Sequence, residues 1–452
     1  MMLPRFYPFA VLALGSRLAN ASPGPSLAPL YIPDAPAHEL VNSSYIVILE
    51  DDIVPSAFSS HLSFIEYASQ AHLSQTVNGN GGSVLAHIYD SEVAKGYTGT
   101  FSKDVVDMIR RRSEVKYVEQ ESYMYPQVLQ EPATWGLARI NHRERLTRTD
   151  MHYAYVDTAG EGVMVYVIDT GVFIQHVEFE GRARWGTTFF PEEGHEDLVG
   201  HGTHVAGTVA SRLYGVAKKA EVTSVKVFSV DRPSGSGVMI AALEWAVKDA
   251  KALAKTRGKA LKGTVVNMSL SGPKSRSVNE AAEKAVKAGM HVVVAAGNDN
   301  KDACTGSPAS SEKVITVGAS NMRDERASFS NHGQCVDVLA PGEDILSLGY
   351  KTRDGTDVMD GTSMAAPHVA GLVSYFLSIH PHGTFNPKSF LWPGGDDLSP
   401  KKIKKAILAL ASSGKLSGPS LPPGTPNLLV YNNGSHSHST PVFRGQEVLG
   451  IQ

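Results

Sequence analysis

A series of apolar runs constrains this chain most: residues 162–168, 222–228, 264–270 and 291–296, separated by stretches with apolar residues at helical spacing. Such largely apolar runs, without strict alternation, suit strands covered on both faces, as in parallel sheets flanked by helices. Between them, Leu243, Val247, Ala250 and Leu253 share a helical face, as do Ala281, Ala285 and Ala288. The expected fold class over residues 131–433 is α/β, a mostly parallel sheet with helices on its flanks. A different pattern precedes it. Residues 44–49, 84–89 and 115–119 read as short strands, and 58–72 and 101–109 as helices. They form a small α+β module over 44–126, of a size that folds alone only marginally.

The rest of the chain frames these two parts. Arg5, a short apolar stretch and Ala19-Asn20-Ala21 read as an export signal over 1–21. Residues 22–43, rich in Pro, Ala and Ser, read as a linker, and 434–452 as a solvated tail. No other segment approaches the ~20 apolar residues of a membrane span, so the exported protein is expected to be soluble. The 42 Lys+Arg and 45 Asp+Glu leave a net charge of −3, which calls for neither nucleic acid nor an anionic membrane as partner. Cys304 and Cys335, a lone pair in an exported chain, favour one disulfide, with two buried thiols as the alternative.

In open parallel sheets, ligands gather beyond the carboxyl ends of the strands. The polar residues just past the apolar runs are therefore candidates: Asp169-Thr170-Gly171, Asn267-Met268-Ser269-Leu270-Ser271-Gly272 and Gly297-Asn298-Asp299. A hydroxyl becomes a nucleophile when a base takes its proton and a third group fixes that base's tautomer. Ser363 lies in Gly361-Thr362-Ser363-Met364-Ala365-Ala366-Pro367-His368, a small-residue turn opening an apolar helix whose first turn is expected to hold Pro367. His201 lies in Gly200-His201-Gly202-Thr203-His204-Val205-Ala206-Gly207. With Asp169-Thr170-Gly171-Val172 these match three active-site signatures, and the chain resembles the subtilisin-like serine proteases, whose Asp, His, Ser order it shares.

The resemblance implies that Ser363 attacks a peptide carbonyl, that His201 shuttles the proton and that Asp169 orients His201. It implies Asn298 and the Ser363 backbone N–H as donors to the oxyanion. An extended substrate would add as a strand between Gly235-Ser236-Gly237 and Ser269-Leu270-Ser271-Gly272. Ser271 and Pro273 stand where relatives carry Gly. The pocket for the residue before the cut would be walled by Ser269, Leu270, Ser271, Ala295, Ala296 and Gly297. No carboxylate lies in those segments to pair a basic side chain, although Asp299 and Asp302 follow, so broad specificity with preference for large apolar or aromatic residues is expected.

Trp135-Gly136-Leu137-Ala138-Arg139-Ile140, Ser328-Phe329-Ser330-Asn331 and Pro423-Gly424-Thr425-Pro426-Asn427 place the resemblance nearest the proteinase K branch, especially fungal cerevisin-like vacuolar proteases. Many of those carry a Cys where this chain has Val205. The branch also implies a Cys304–Cys335 bridge, and Asp337 matches a calcium ligand: no cofactor is required, with structural calcium as an option. The module at 44–126 resembles an inhibitor propeptide, which makes the chain an autoprocessed zymogen cut between Tyr125 and Trp135. Its partners would be protein and peptide substrates and its own propeptide, with no nucleic acid or membrane, and the enzyme a monomer. The vacuole lumen is favoured over the extracellular space as its destination. Asn42 and Asn433 head glycosylation sequons, whereas the Asn267 sequon falls in a buried strand. The rival readings are weaker. His201 and His204 could suggest zinc, but the chain has no HExxH motif, and an intact Asp, His, Ser set argues against a catalytically dead binding module.

Overall fold

The computed structural model describes residues 27–33, 40–73, 85–91, 93–122, 127–147, 149–232, 234–379, 398–417 and 421–433. The export signal expected at 1–21, the tail at 434–452 and the Gly434-Ser435 part of the last sequon lie outside the described residues. What is described falls into two compact units that divide after residue 123.

The first unit is a five-stranded sheet in the order Leu30–Tyr31, Val115–Ser122, Leu40–Leu49, Lys95–Thr100, Leu85–Asp90. Helices Pro55–Leu73 and Lys103–Arg110 supply Phe58, Ile65, Val105 and Ile109 to a core with Val47, Tyr97 and Val118. The stretch expected to be a linker contributes structure here. Leu30–Tyr31 pairs in parallel with Val115–Ser122, and Pro29 O accepts from Val118 N at 2.9 Å. A Pro-rich segment can do this because it lies at the sheet edge, where one side of the backbone needs no partner.

The second unit carries the expected α/β sheet. Its strands are β1 (Val163–Asp169), β2 (Ala183–Thr188), β3 (Glu221–Lys226), β4 (Gly263–Met268), β5 (His291–Ala295), β6 (Ile315–Ser320), β7 (Val338–Pro341), β8 (Ser412–Ser413) and β9 (Leu428–Leu429). They run in the order β8-β9-β7-β6-β5-β4-β1-β3-β2, parallel throughout except for the β8–β9 pair. Central β1 shows why its run is apolar from Val163 to Ile168: Val163, Val165 and Val167 enter one core, while Met164, Tyr166 and Ile168 enter the other. The first core lies under helices α1 (His201–Ala210), α4 (Thr362–Ile379) and α5 (Pro400–Leu410). The second lies under α2 (Ser236–Arg257) and α3 (Arg276–Lys287). Residues 127–130, within the stretch expected to hold the processing cut, form a strand that pairs antiparallel with Tyr153–Val156.

Candidate active site

Asp169 is the last residue of β1 and is fully buried, whereas His201 opens α1 with its ring partly exposed. The strand and the helix approach so closely that a Cβ on Gly202 would run into the Gly171 carbonyl oxygen. This brings His201 Nδ1 to 2.7 Å from Asp169 Oδ1. A carboxylate only accepts, so Nδ1 donates and Nε2 keeps its lone pair facing away from Asp169. Burial of the ring disfavours the imidazolium, but the charge and hydrogen bond of Asp169, with Asp197 beyond, outweigh it and raise the His201 pKa.

Asp197 was not singled out by the sequence, yet it binds the two segments together. Its Oδ1 accepts from Thr170 Oγ1 at 2.9 Å, Gly200 N at 2.8 Å and Val199 N at 3.1 Å. Its Oδ2 accepts from Thr203 N at 3.0 Å and Thr203 Oγ1 at 2.5 Å. An Asp four residues ahead of a glycine-flanked helix start was the available signal, because carboxylates satisfy the free amides there.

Ser363 lies in the first turn of α4, and Pro367 falls beyond that turn, inside the helix. Proline has no N–H for the carbonyl four residues earlier, which is that of Ser363. Ser269 Oγ donates to Ser363 O instead, at 2.7 Å, and Ser363 Oγ donates to Ser269 O at 3.2 Å. The reciprocal pair fixes the nucleophile's segment against the end of β4. In this state the Ser363 hydroxyl is thus turned to Ser269 O, and rotation about its Cα–Cβ bond is what presents it to a base.

Asn298 follows β5 on a loop. Its Oδ1 accepts from Thr362 N and Thr362 Oγ1, both at 2.8 Å, which commits the oxygen and leaves Nδ2 as the group it can offer. Gly361 has φ +148°, and the point its Cβ would take lies 3.3 Å from Asn298 Nδ2 and 3.4 Å from Ser363 N. A side chain there would crowd the space on which both donors converge. Asn331, another residue without a role in the sequence reading, buttresses the loop. Its Nδ2 donates to Ala296 O at 2.9 Å, and its Oδ1 accepts from Lys301 N at 2.9 Å and Asp299 N at 3.1 Å.

The remaining expected residues divide. Ser269, Ala295, Ala296 and Gly297 are buried, Leu270 is half-buried and Ser271 and Gly272 are exposed beyond the end of β4. Gly272–Pro273 pairs with Gly306–Ser307. Gly235-Ser236-Gly237 is not a strand: Gly235 is the extended N-cap of α2, and Ser236 and Gly237 begin the helix. Cys304 and Cys335 are bridged, with Cα atoms 5.2 Å apart. Asp337 Oδ2 accepts from Thr316 N and its Oδ1 is paired with Lys404 Nζ, both at 2.8 Å. His204 is pushed down to about 4 by burial, and its Nε2 meets Ile345 O at 2.9 Å, away from the partners of His201. Among the described residues, no cluster of three or more His, Cys, Asp or Glu is arranged to hold a metal ion, and no helix is long and apolar enough to cross a membrane.

Known proteins carry the same organisation. The model of the Subtilase family matches residues 160–428, more than half of the chain. The chain belongs to the subtilase family. A second model, Peptidase inhibitor I9, matches residues 44–127 ahead of the subtilase domain. Alkaline protease 2 of Aspergillus fumigatus is 42% identical over 89% of this subtilase and 83% of its own length. Subtilisin-like serine protease Pen c 2 of Penicillium citrinum is also 42% identical, over 96% of this chain and 98% of its own. A cold adapted subtilisin-like serine proteinase of known crystal structure superposes with a TM-score of 0.57 at 36% identity, covering 67% of this chain and 99% of that one. This subtilase is a serine endopeptidase of the subtilisin kind, made with an inhibitor propeptide.

Proposed function

We propose that Asp169, His201 and Ser363 are the catalytic triad and that Asn298 Nδ2 and Ser363 N form the oxyanion hole. The observation that carries this reading is the convergence of Asn298 Nδ2 and Ser363 N beside the nucleophile, within the unit where Asp169 Oδ1 holds His201 Nδ1 at 2.7 Å. Ser363 Oγ, released from Ser269 O, attacks the scissile carbonyl as His201 Nε2 takes its proton. The developing oxyanion is met by donors already fixed by Thr362 and by the start of α4, so little reorganisation is needed. His201, now an imidazolium facing the buried Asp169, returns the proton to the leaving amine. Water deacylates the enzyme by the same steps in reverse. A fluorophosphonate probe should label the matured enzyme once, on Ser363, and Ser363→Ala should remove the label. Labelling that survives this change would assign a different nucleophile.

The specificity proposed is broad, favouring large apolar or aromatic residues before the cut. Support comes from the buried small residues Ala295, Ala296 and Gly297 and from half-buried Leu270. Asp299 is exposed, and exposed Asp302 spends Oδ1 on Cys304 N at 2.9 Å. Neither is a buried counter-charge for Arg or Lys. Cleavage of a denatured protein mixture should show this preference, and strict cutting after Arg or Lys would overturn it. We propose a secretory-pathway protein, with the vacuole lumen favoured over the extracellular space. The Cys304–Cys335 bridge supports the pathway, since such bonds persist in oxidising compartments.

A further inference from the structure

Lys404 is the least ordinary of the lysines in α5. Its neighbours Lys401, Lys402 and Lys405 share the helix's polar side, but Lys404 lies next to the buried face made by Ile403, Ala406, Ile407 and Leu410, and its side chain is 18% exposed. An ammonium group has three donors. Here all three are used: on Val314 O at 2.7 Å, on Asp337 Oδ1 at 2.8 Å and on Glu312 O at 2.9 Å. The second carboxylate oxygen is held by Thr316 N at 2.8 Å, and Asp337 N in turn donates to Thr316 O at 2.9 Å. Two carbonyls and one carboxylate, gathered where the chain enters β6 and β7, are the oxygen donors a hard cation would choose. Calcium needs six to eight oxygens at about 2.3–2.6 Å, whereas these three lie 2.7–2.9 Å from a nitrogen and match charge-assisted N–H···O bonds.

We propose that the Lys404 ammonium is a built-in cation that takes the place of a structural metal at Asp337, tying α5 to the starts of β6 and β7. The stability of the subtilase unit then does not draw on calcium at this position. A divalent ion could reach these oxygens only by displacing a covalently tethered charge, and with Lys404 in place it would meet like-charge repulsion.

The test uses the full chain carrying Ser363→Ala, which suppresses self-cleavage, and reads the thermal midpoint in excess EDTA and in millimolar calcium. Any response of the parent to calcium should be the same in the chain that also carries Asp337→Asn. Lys404→Ala should melt several degrees lower in EDTA and recover on adding calcium, because the vacated oxygens now accept the ion. Adding Asp337→Asn to it should abolish that recovery. Should Lys404→Ala fail to fold, Lys404→Arg, which keeps a cation there, is expected to hold the midpoint better than Lys404→Met, which keeps only the stem. A calcium-dependent rise in the parent that disappears with Asp337→Asn would overturn the proposal, as would an unchanged midpoint for Lys404→Ala in EDTA.

Discussion

His201 can accept a proton only when neutral, so the pH at which it loses its own sets the acid edge of activity. Burial opposes its charge, but Asp169 and Asp197 prevail, and the pKa lies above the ordinary 6.5. The kcat/KM for an uncharged peptide should therefore rise through an apparent pKa above 6.5. Asp197→Asn should move that limb toward acid and also lower kcat, because an amide cannot accept all five hydrogen bonds the carboxylate takes. A pH–rate profile that keeps its limb would show that Asp197 acts through geometry alone. The raised value also favours the folded state below the unfolded pKa of 6.5, a contribution lost as pH climbs through the folded value. Asn298→Ala should lower kcat by about 10²–10³, the loss seen for the corresponding donor in subtilisin itself, with KM nearly unchanged. An equal loss in binding would place Nδ2 on the ground-state substrate instead. Residues of this kind were legible because each sits in a small-residue turn, just past an apolar run for Asn298 and at the start of a helix for His201. Asn331 and Lys404 were not: their partners are mostly backbone groups from distant segments, and one lysine among several in α5 has no local mark of burial, while Asp197 offered only its place ahead of the start of α1.

Pro367 and Ser269 illustrate how an element can be read correctly while its inner adjustment stays hidden. The apolar run announces α4, but only the fold shows that the carbonyl freed by Pro367 is that of Ser363 and that Ser269, at the far end of β4, fills it. The pair predicts a double-mutant cycle. Ser269→Ala should leave a buried carbonyl unsatisfied, at about 1–3 kcal/mol, and reduce kcat. Pro367→Ala restores an N–H for Ser363 O, so in its presence the Ser269→Ala stability loss should shrink. Denaturation of the four inhibited enzymes measures this, and strictly additive losses would mean that Ser269 Oγ is not coupled to Pro367. Apolar runs made β1, β3, β4 and β5 legible, with ends within a few residues, whereas β2 and β6 to β9 went unread. Lys95–Thr100 was not legible either, because its Gly- and Thr-rich composition carries no apolar alternation. Its place depends on Leu40–Leu49 and Leu85–Asp90 pairing with it from either side. For Gly235-Ser236-Gly237 the resemblance implied a strand, whereas its small residues leave the first turn of α2 unobstructed.

At the scale of the whole chain, the two units have separate cores, and the sequence between them is the place where one polypeptide can become two without breaking either core. The I9 match ends at residue 127, and residues 127–130 already pair with Tyr153–Val156 of the subtilase unit. A cut inside that strand would require it to leave the ladder, whereas a cut on either side would not. If Ser363 performs the cut, the full chain carrying Ser363→Ala should accumulate uncut, and its mass should exceed that of the matured wild-type enzyme by the whole propeptide. Adding a trace of active enzyme tests whether the bond is simply exposed. Cleavage of the Ser363→Ala chain in trans, at the same bond found by N-terminal sequencing of the wild type, would show that its fold presents the junction normally and lacks only the nucleophile. Normal maturation of Ser363→Ala in a protease-deficient host would instead assign processing to another enzyme and separate maturation from the triad.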